Sequence, residues 1–130
     1  MSFEVLQPGI LSLLQDEGRY GQHAIGLTTG GPLDPAAYRL CNRLLQNADN
    51  STLVEVSFGG LQLQAKDDTF ICVTGAYMPL LINDQARALW QVHKVFAGDV
   101  IRLEFATQGC RAYLGTAGGF DIPDSFGVVV

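Results

Sequence analysis

Along most of this chain apolar and polar residues alternate with a period of two, and in one stretch they recur every three to four positions. The two spacings predict a strand-rich fold built around a single helix. Thr52 to Phe58 sets Val54, Val56 and Phe58 against Leu53, Glu55 and Ser57, and Leu61 to Ala65 sets Leu61, Leu63 and Ala65 against Gln62 and Gln64. The Gly59-Gly60 pair between them predicts a two-residue hairpin loop. Asp67-Asp68 then turns the chain into Thr69 to Thr74, an almost wholly apolar run that predicts a central strand ending at Gly75. Met78 to Ile82, Ala88 to Trp90, Val92 to Phe96, Val100 to Phe105 and Arg111 to Ala117 read as further strands. Turns at Asn83-Asp84, Ala97-Gly98-Asp99 and Gln108-Gly109 separate them. Before residue 52, Phe3 to Gln7 reads as a first strand closed by Pro8-Gly9, followed by the short apolar run Ile10 to Leu14.

The helical spacing is confined to Pro35 to Gln46. Ala37, Leu40, Cys41, Leu44 and Leu45 fall on one stripe expected to face a core, with Arg39, Asn42, Arg43 and Gln46 pointing elsewhere. Asp34 has N-cap chemistry, and Pro35 sits at the first helical position, where its missing N–H costs nothing. Many short strands around one helix predict a mostly β domain, an antiparallel barrel or sandwich.

Between the early strands and the helix the pattern fails. Glycines 18, 21, 26, 30 and 31 and Pro32 interrupt the backbone from Gln15 to Asp34, while Gln15, Asp16, Arg19, His23, Thr28, Thr29 and Asp34 crowd polar groups into it. Long irregular segments inside compact domains are more often functional than decorative, and this one is the predicted site.

Composition narrows the class. At 130 residues, 48% hydrophobic and 16% charged, residues 1–130 read as one well-packed domain. A net charge of -5 with Lys and Arg scattered singly argues against nucleic acid or an anionic membrane as partner. Cys41, Cys72 and Cys110 lie far apart among apolar neighbours, which suits reduced, buried thiols, and with no Cys-x-x-Cys and no nearby His pair no metal is expected. The start Met1-Ser2-Phe3-Glu4 lacks signal-peptide chemistry and no apolar run approaches membrane-spanning length, so a cytoplasmic location is expected.

Several residues carry candidate chemistry. Asp16 and Arg19, three apart, either pair with each other to pin the segment or face a ligand jointly. Asp34 serves first as a helix cap, with an anion at that helix start as the weaker reading. Glu55 is a solvated strand carboxylate by default and a catalytic carboxylate otherwise. His23 suits acid–base work better than His93, which alternates with apolar residues. Gly118-Gly119 is a tight turn first and an anion-approaching backbone second. No phosphate-binding Gly-x-x-x-x-Gly-Lys loop, nucleophile elbow or His-Glu-x-x-His occurs.

Taken together, Gln15-Asp16-x-Gly18-Arg19-x-Gly21, Gly30-Gly31-x-x-Asp34, Asn42 with Leu44 and Asn47, Val54-Glu55 with Gly59-Gly60, Thr74-Gly75-Ala76, Gly109-x-Arg111-x-Tyr113-Leu114 and Gly118-Gly119-x-Asp121-x-Pro123 resemble the allophanate hydrolase subunit 2 family, also described as the biotin-dependent carboxyltransferase type. That family includes the C-type subunit of bacterial ATP-dependent 5-oxoprolinase, part of the urea carboxylase carboxyltransferase domain, and the KipA regulator. This sequence has Gln46 where relatives have glycine, and Pro32-Leu33 where they have Ala-x. It ends in Val128-Val129-Val130, where the family continues, so it is expected to be the N-terminal part of a longer two-domain protein.

The resemblance implies a cyclophilin-like antiparallel β-barrel with one main helix, from about Pro35 to Gln46. It implies a component of an ATP-dependent 5-oxoprolinase that opens the lactam of 5-oxoproline to glutamate. The partners would be a B-type 5-oxoprolinase subunit, of the allophanate hydrolase subunit 1 type, and an A-type one, with room for a homo-oligomer. A lactam is a poor electrophile, and phosphorylating its oxygen lets water attack; ATP would serve the complex. In that setting Asp16 and Glu55 would be catalytic, and Gln15, Arg19, His23, Gly30, Gly31, Asp34, Arg111, Gly118 and Gly119 would bind substrate. The alternatives are biotin-dependent carboxyl transfer to a small amide, with biotin on another chain because no Met-Lys dipeptide occurs here, and a non-catalytic KipA-like binding module.

Overall fold

The computed structural model describes residues 3–16 and 32–120. Among them are ten strands and one helix: β1 (Phe3–Pro8), β2 (Leu11–Gln15), α1 (Pro35–Leu44), β3 (Leu53–Ser57), β4 (Leu61–Ala65), β5 (Thr69–Tyr77), β6 (Leu80–Ile82), β7 (Gln85–Arg87), β8 (His93–Val95), β9 (Val100–Leu103) and β10 (Gln108–Thr116). They form two five-stranded antiparallel sheets, an outer sheet β1-β4-β9-β6-β7 and a middle sheet β2-β3-β10-β5-β8. The mostly β prediction holds. The described strands form two separate sheets and no closed barrel.

The period-two pattern explains the sandwich. Val54, Val56, Ile71, Val73, Ala112 and Leu114 of the middle sheet meet Phe3, Leu61, Leu63, Leu80, Ile101 and Leu103 of the outer sheet in one buried core. On the other face of the middle sheet, Leu53, Cys72 and Tyr113 pack under Ala37, Tyr38 and Cys41 of α1 and under Leu45, which caps it. The molecule is therefore three layers deep, and every residue of β3 is buried. The expected polar face of β3 is the helix-covered face.

The predicted hairpin at Gly59-Gly60 is absent. β3 and β4 belong to different sheets, and the glycines carry the chain across the sandwich. Gly59 takes φ +113, and a Cβ there would lie 2.4 Å from the Glu104 carbonyl oxygen. The β1-to-β2 crossover passes the same point, with Ile10 N–H donating to the Gly59 carbonyl at 3.2 Å. Both crossings depend on bare backbone. The return strand after Asn83-Asp84 is Gln85–Arg87 rather than Ala88 to Trp90.

Helix α1 ends at Leu44, two residues before the expected boundary, and its buried side is rotated. Tyr38 and Asn42 are buried whereas Leu40 and Leu44 are exposed. Cys41 and Cys72 are buried as expected; Cys110 is exposed, beside the register shift between Gln108 and Ala112. Among the described residues no helix is long and apolar enough to cross a membrane.

Candidate functional site

The N-terminal end of α1 sits over the middle sheet where β2, β3 and β10 run side by side. In this ladder Glu55 pairs with Leu13 on one side and Tyr113 on the other. Directly opposed residues project from the same face, so Glu55 and Tyr113 both point toward the helix. Gln15, at the end of β2, opposes Leu53 on that face.

Glu55 is 3% exposed. Its Oε1 accepts from Gln15 Nε2 at 3.3 Å, and its Oε2 accepts from the Leu33 backbone N–H at 3.0 Å and from the Tyr113 hydroxyl at 2.5 Å. The same hydroxyl accepts from the Asp34 N–H at 2.8 Å. The carboxylate and phenol thus hold two consecutive amides just before the helix. Desolvation, and then the bond to Glu55, push the Tyr113 hydroxyl above its ordinary range, so it stays a donor. Asp34 caps the helix as predicted, its side chain accepting from Ala37 N–H at 3.1 Å. Thr74, opposite Tyr113 on β5, donates its hydroxyl to the Ala37 carbonyl at 2.7 Å.

Two residues along each strand, Ser57 opposes Arg111 on the same face. Arg111 is half-buried, its guanidinium carbon 5.7 Å from the centre of the Phe58 ring. One polar row thus runs from Gln15 through Glu55 and Tyr113 to Ser57 and Arg111.

Of the sequence-predicted residues, the structure gathers Gln15, Asp34, Glu55 and Arg111 along this row. Asp16, half-buried, directly follows Gln15. Gly118 and Gly119 lie at the other end of α1. Gly118 N–H donates to Asn47 Oδ1 at 2.7 Å and Gly119 N–H to the Thr116 carbonyl at 2.9 Å, so both amides are engaged within the protein. Arg19, His23, Gly30 and Gly31 lie outside the described residues. Sequence reasoning does not single out Tyr113, Ser57 and Thr74 as site residues. The signal for them is the alternation Arg111, Tyr113 and Glu55, Ser57, which places polar groups on one face of strands whose other face is apolar.

The motif asparagines are structural. Asn47 Nδ2 donates to Asn42 Oδ1 at 3.1 Å and to the Thr116 carbonyl at 2.9 Å, while Asn42 Nδ2 donates to the Ser51 carbonyl at 3.2 Å. Together they tie the end of α1 to the end of β10. Among the described residues no group of three or more His, Cys, Asp or Glu is placed to hold a metal ion.

These features define a two-sheet β domain whose helix start is anchored by a buried carboxylate–phenol pair. The chain belongs to the family of the carboxyltransferase domain, subdomain A and B, which matches residues 25–129. It is 34% identical to the C-type subunit of 5-oxoprolinase from Haemophilus influenzae over 94% of this chain and 40% of that protein. It is 32% identical to urea amidolyase of Saccharomyces cerevisiae over 97% of this chain and 7% of that protein. The solved structure of Kluyveromyces lactis urea carboxylase superposes with a TM-score of 0.85 at 37% identity, covering 98% of this chain and 11% of that one. The chain thus spans well under half the length of these relatives.

Proposed function

We propose that this protein works within a multi-component, ATP-dependent amidohydrolase of the 5-oxoprolinase type, opening the lactam of 5-oxoproline to glutamate beside B-type and A-type partner proteins. The observation carrying this reading is the match to the C-type member of a 5-oxoprolinase along 94% of the chain. The role proposed for this chain's own residues is to bind and orient a small amide on the polar row. Glu55 and Tyr113 fix the backbone at Leu33 and Asp34, which sets the wall of the site. Arg111 offers a fork of donors to an anionic group.

ATP supplies phosphoryl activation of the lactam oxygen in such enzymes. The described residues do not fit it: the Gly118 amide is engaged by Asn47 Oδ1, the Gly119 amide by the Thr116 carbonyl, and no phosphate-binding loop occurs in the sequence. Nucleotide binding is accordingly assigned to a partner.

A second reading is favoured by the likeness to urea amidolyase and urea carboxylase. In it the same row would steady a carboxyl group carried on biotin from another chain. Reconstitution with the partner proteins separates the readings. ATP-dependent glutamate formation from 5-oxoproline without biotin is expected; strict dependence on a biotinyl carrier would replace the first reading with the second. Tight association without turnover of either kind would leave a KipA-like binding role.

A further inference from the structure

We propose that Cys41 and Cys72 are a modification site, a dithiol that hydrogen peroxide closes to a disulfide, stapling α1 to β5. The staple is independent of which small amide the polar row binds.

Both cysteines are free thiols and neither exposes any surface. Buried cysteines commonly act as no more than small apolar side chains. What sets this pair apart is placement. The two residues lie 31 positions apart in sequence, yet Cys41 Sγ reaches the Cys72 carbonyl oxygen at 3.4 Å and the Tyr113 carbonyl oxygen at 3.8 Å. Gly115 makes the room. It is directly opposite Cys72 in the β5–β10 ladder, and a Cβ there would lie 2.8 Å from Cys41 Sγ. Opposed residues project from one face with their Cα atoms about 5 Å apart, so the Cys41 sulfur is seated over bare backbone beside the Cys72 side chain. Contact between the two thiols is the first cause that pushes Cys41 above the ordinary thiol range and holds Cys72 below it. Cys72 is thus the partner more readily ionised.

That asymmetry orders the chemistry. The Cys72 thiolate attacks one peroxide oxygen and breaks the O–O bond, giving a sulfenic acid and, once the displaced hydroxide takes up the thiol proton, water. The Cys41 sulfur then attacks the sulfenic sulfur. The S–O bond breaks, the oxygen leaves as a second water with the Cys41 proton, and the peroxide has taken up both electrons. Because α1 covers both sulfurs, the reaction proceeds through local opening of the helix. Its product closes a long loop and holds the helix, with Asp34 at its start, against the middle sheet.

The test uses the full chain carrying Cys110→Ser, a change at the exposed cysteine, so that no thiol remains outside the pair. Hydrogen peroxide under native conditions, followed by digestion without reductant, is expected to yield a peptide joining Cys41 to Cys72 that dithiothreitol separates. The oxidised chain should have a higher urea midpoint, and its Tyr38 to Leu44 amides should exchange at least about tenfold more slowly. Cys41→Ala and Cys72→Ala should each remove both oxidation-induced changes. The unmutated chain with Cys110 first capped by iodoacetamide gives the same comparison without any variant having to fold. Thiols that stay reduced or pass directly to sulfinic acid, a link that forms only in urea, or an oxidised chain with no gain in midpoint and no slowing of helix exchange would overturn the staple.

Discussion

Glu55 occupies a position where an isolated charge would cost several kcal/mol, and hydrogen bonds from Gln15, Leu33 and Tyr113 offset that cost. Removing the acceptor takes one hydrogen bond each from the Gln15 amide, the Leu33 N–H and the buried Tyr113 hydroxyl, so Glu55→Ala should destabilise the fold by about 3 kcal/mol in urea unfolding, and Tyr113→Phe by about 1 to 2 kcal/mol. The tyrosine contribution has a definite pH dependence. Its hydroxyl is raised above the ordinary value of 10.0 in the folded protein, so the folded state holds this proton more tightly than the unfolded state does. The resulting stability is fully present below that value and is lost as pH rises past it. The stability gap between wild type and Tyr113→Phe should narrow as pH climbs above about 10; a constant gap would disprove the coupling. Gly115 is a second critical residue. A Cβ there would lie 2.7 Å from Leu45 Cδ1, 2.8 Å from Cys41 Sγ and 2.9 Å from Leu53 Cδ2. Gly115→Ala should lower stability by about 1 to 3 kcal/mol through overpacking beneath the helix. Neither residue announces itself in sequence: Gly115 reads as an ordinary strand glycine, and Glu55 as a solvated carboxylate, because their partners lie far away along the chain.

At the scale of the element, the start of α1 is legible in the sequence and its end and orientation are not. Asp34 and Pro35 encode the start through local chemistry that a sequence displays directly. The stripe, assigned by polarity, misses Asn42 and Tyr38. Asn42 is buried because its amide reaches the Ser51 carbonyl, and the Tyr38 hydroxyl donates to the same oxygen at 2.7 Å. With partners so close a polar tip costs little, and the packing of the ring and stem decides the face. The helix closes with Asn47 N–H donating to the Asn42 carbonyl at 2.8 Å and Gln46 N–H to the Arg43 carbonyl at 3.0 Å, with Gln46 at φ 59. This is the Schellman arrangement, in which glycine is the usual residue at the left-handed position. Gln46→Gly should therefore stabilise the protein by about 1 kcal/mol, since the strain on a side chain there exceeds the entropy lost by glycine. A lower melting temperature for the variant would show that the Gln46 side chain contributes more than its backbone costs.

At the scale of the molecule, the strands are legible as individual segments because alternation is local, whereas their pairing is not. Gly59-Gly60 has the composition of a hairpin loop and acts as a corner between sheets, since what decides the matter is the close approach of Gly9 and Glu104. The helix-side row is legible in its carboxylate and arginine but not in the phenol that links them, because that link runs through ladder register. The layering that results makes stability uneven. β10 lies between β3 and β5 and is covered by α1 on one face and by the outer sheet on the other. β7, by contrast, is a strand of three exposed residues that among the described residues pairs only with β6. Opening β7 exposes almost no apolar surface, whereas opening β10 dismantles both cores. In native-state hydrogen exchange the Ala112 to Gly115 amides should exchange only through global unfolding and respond to urea with the full unfolding slope. The Gln85 to Arg87 amides should exchange through local opening that urea scarcely affects. Comparable protection of the two strands would mean that the edge of the outer sheet is held by contacts beyond the β6 ladder.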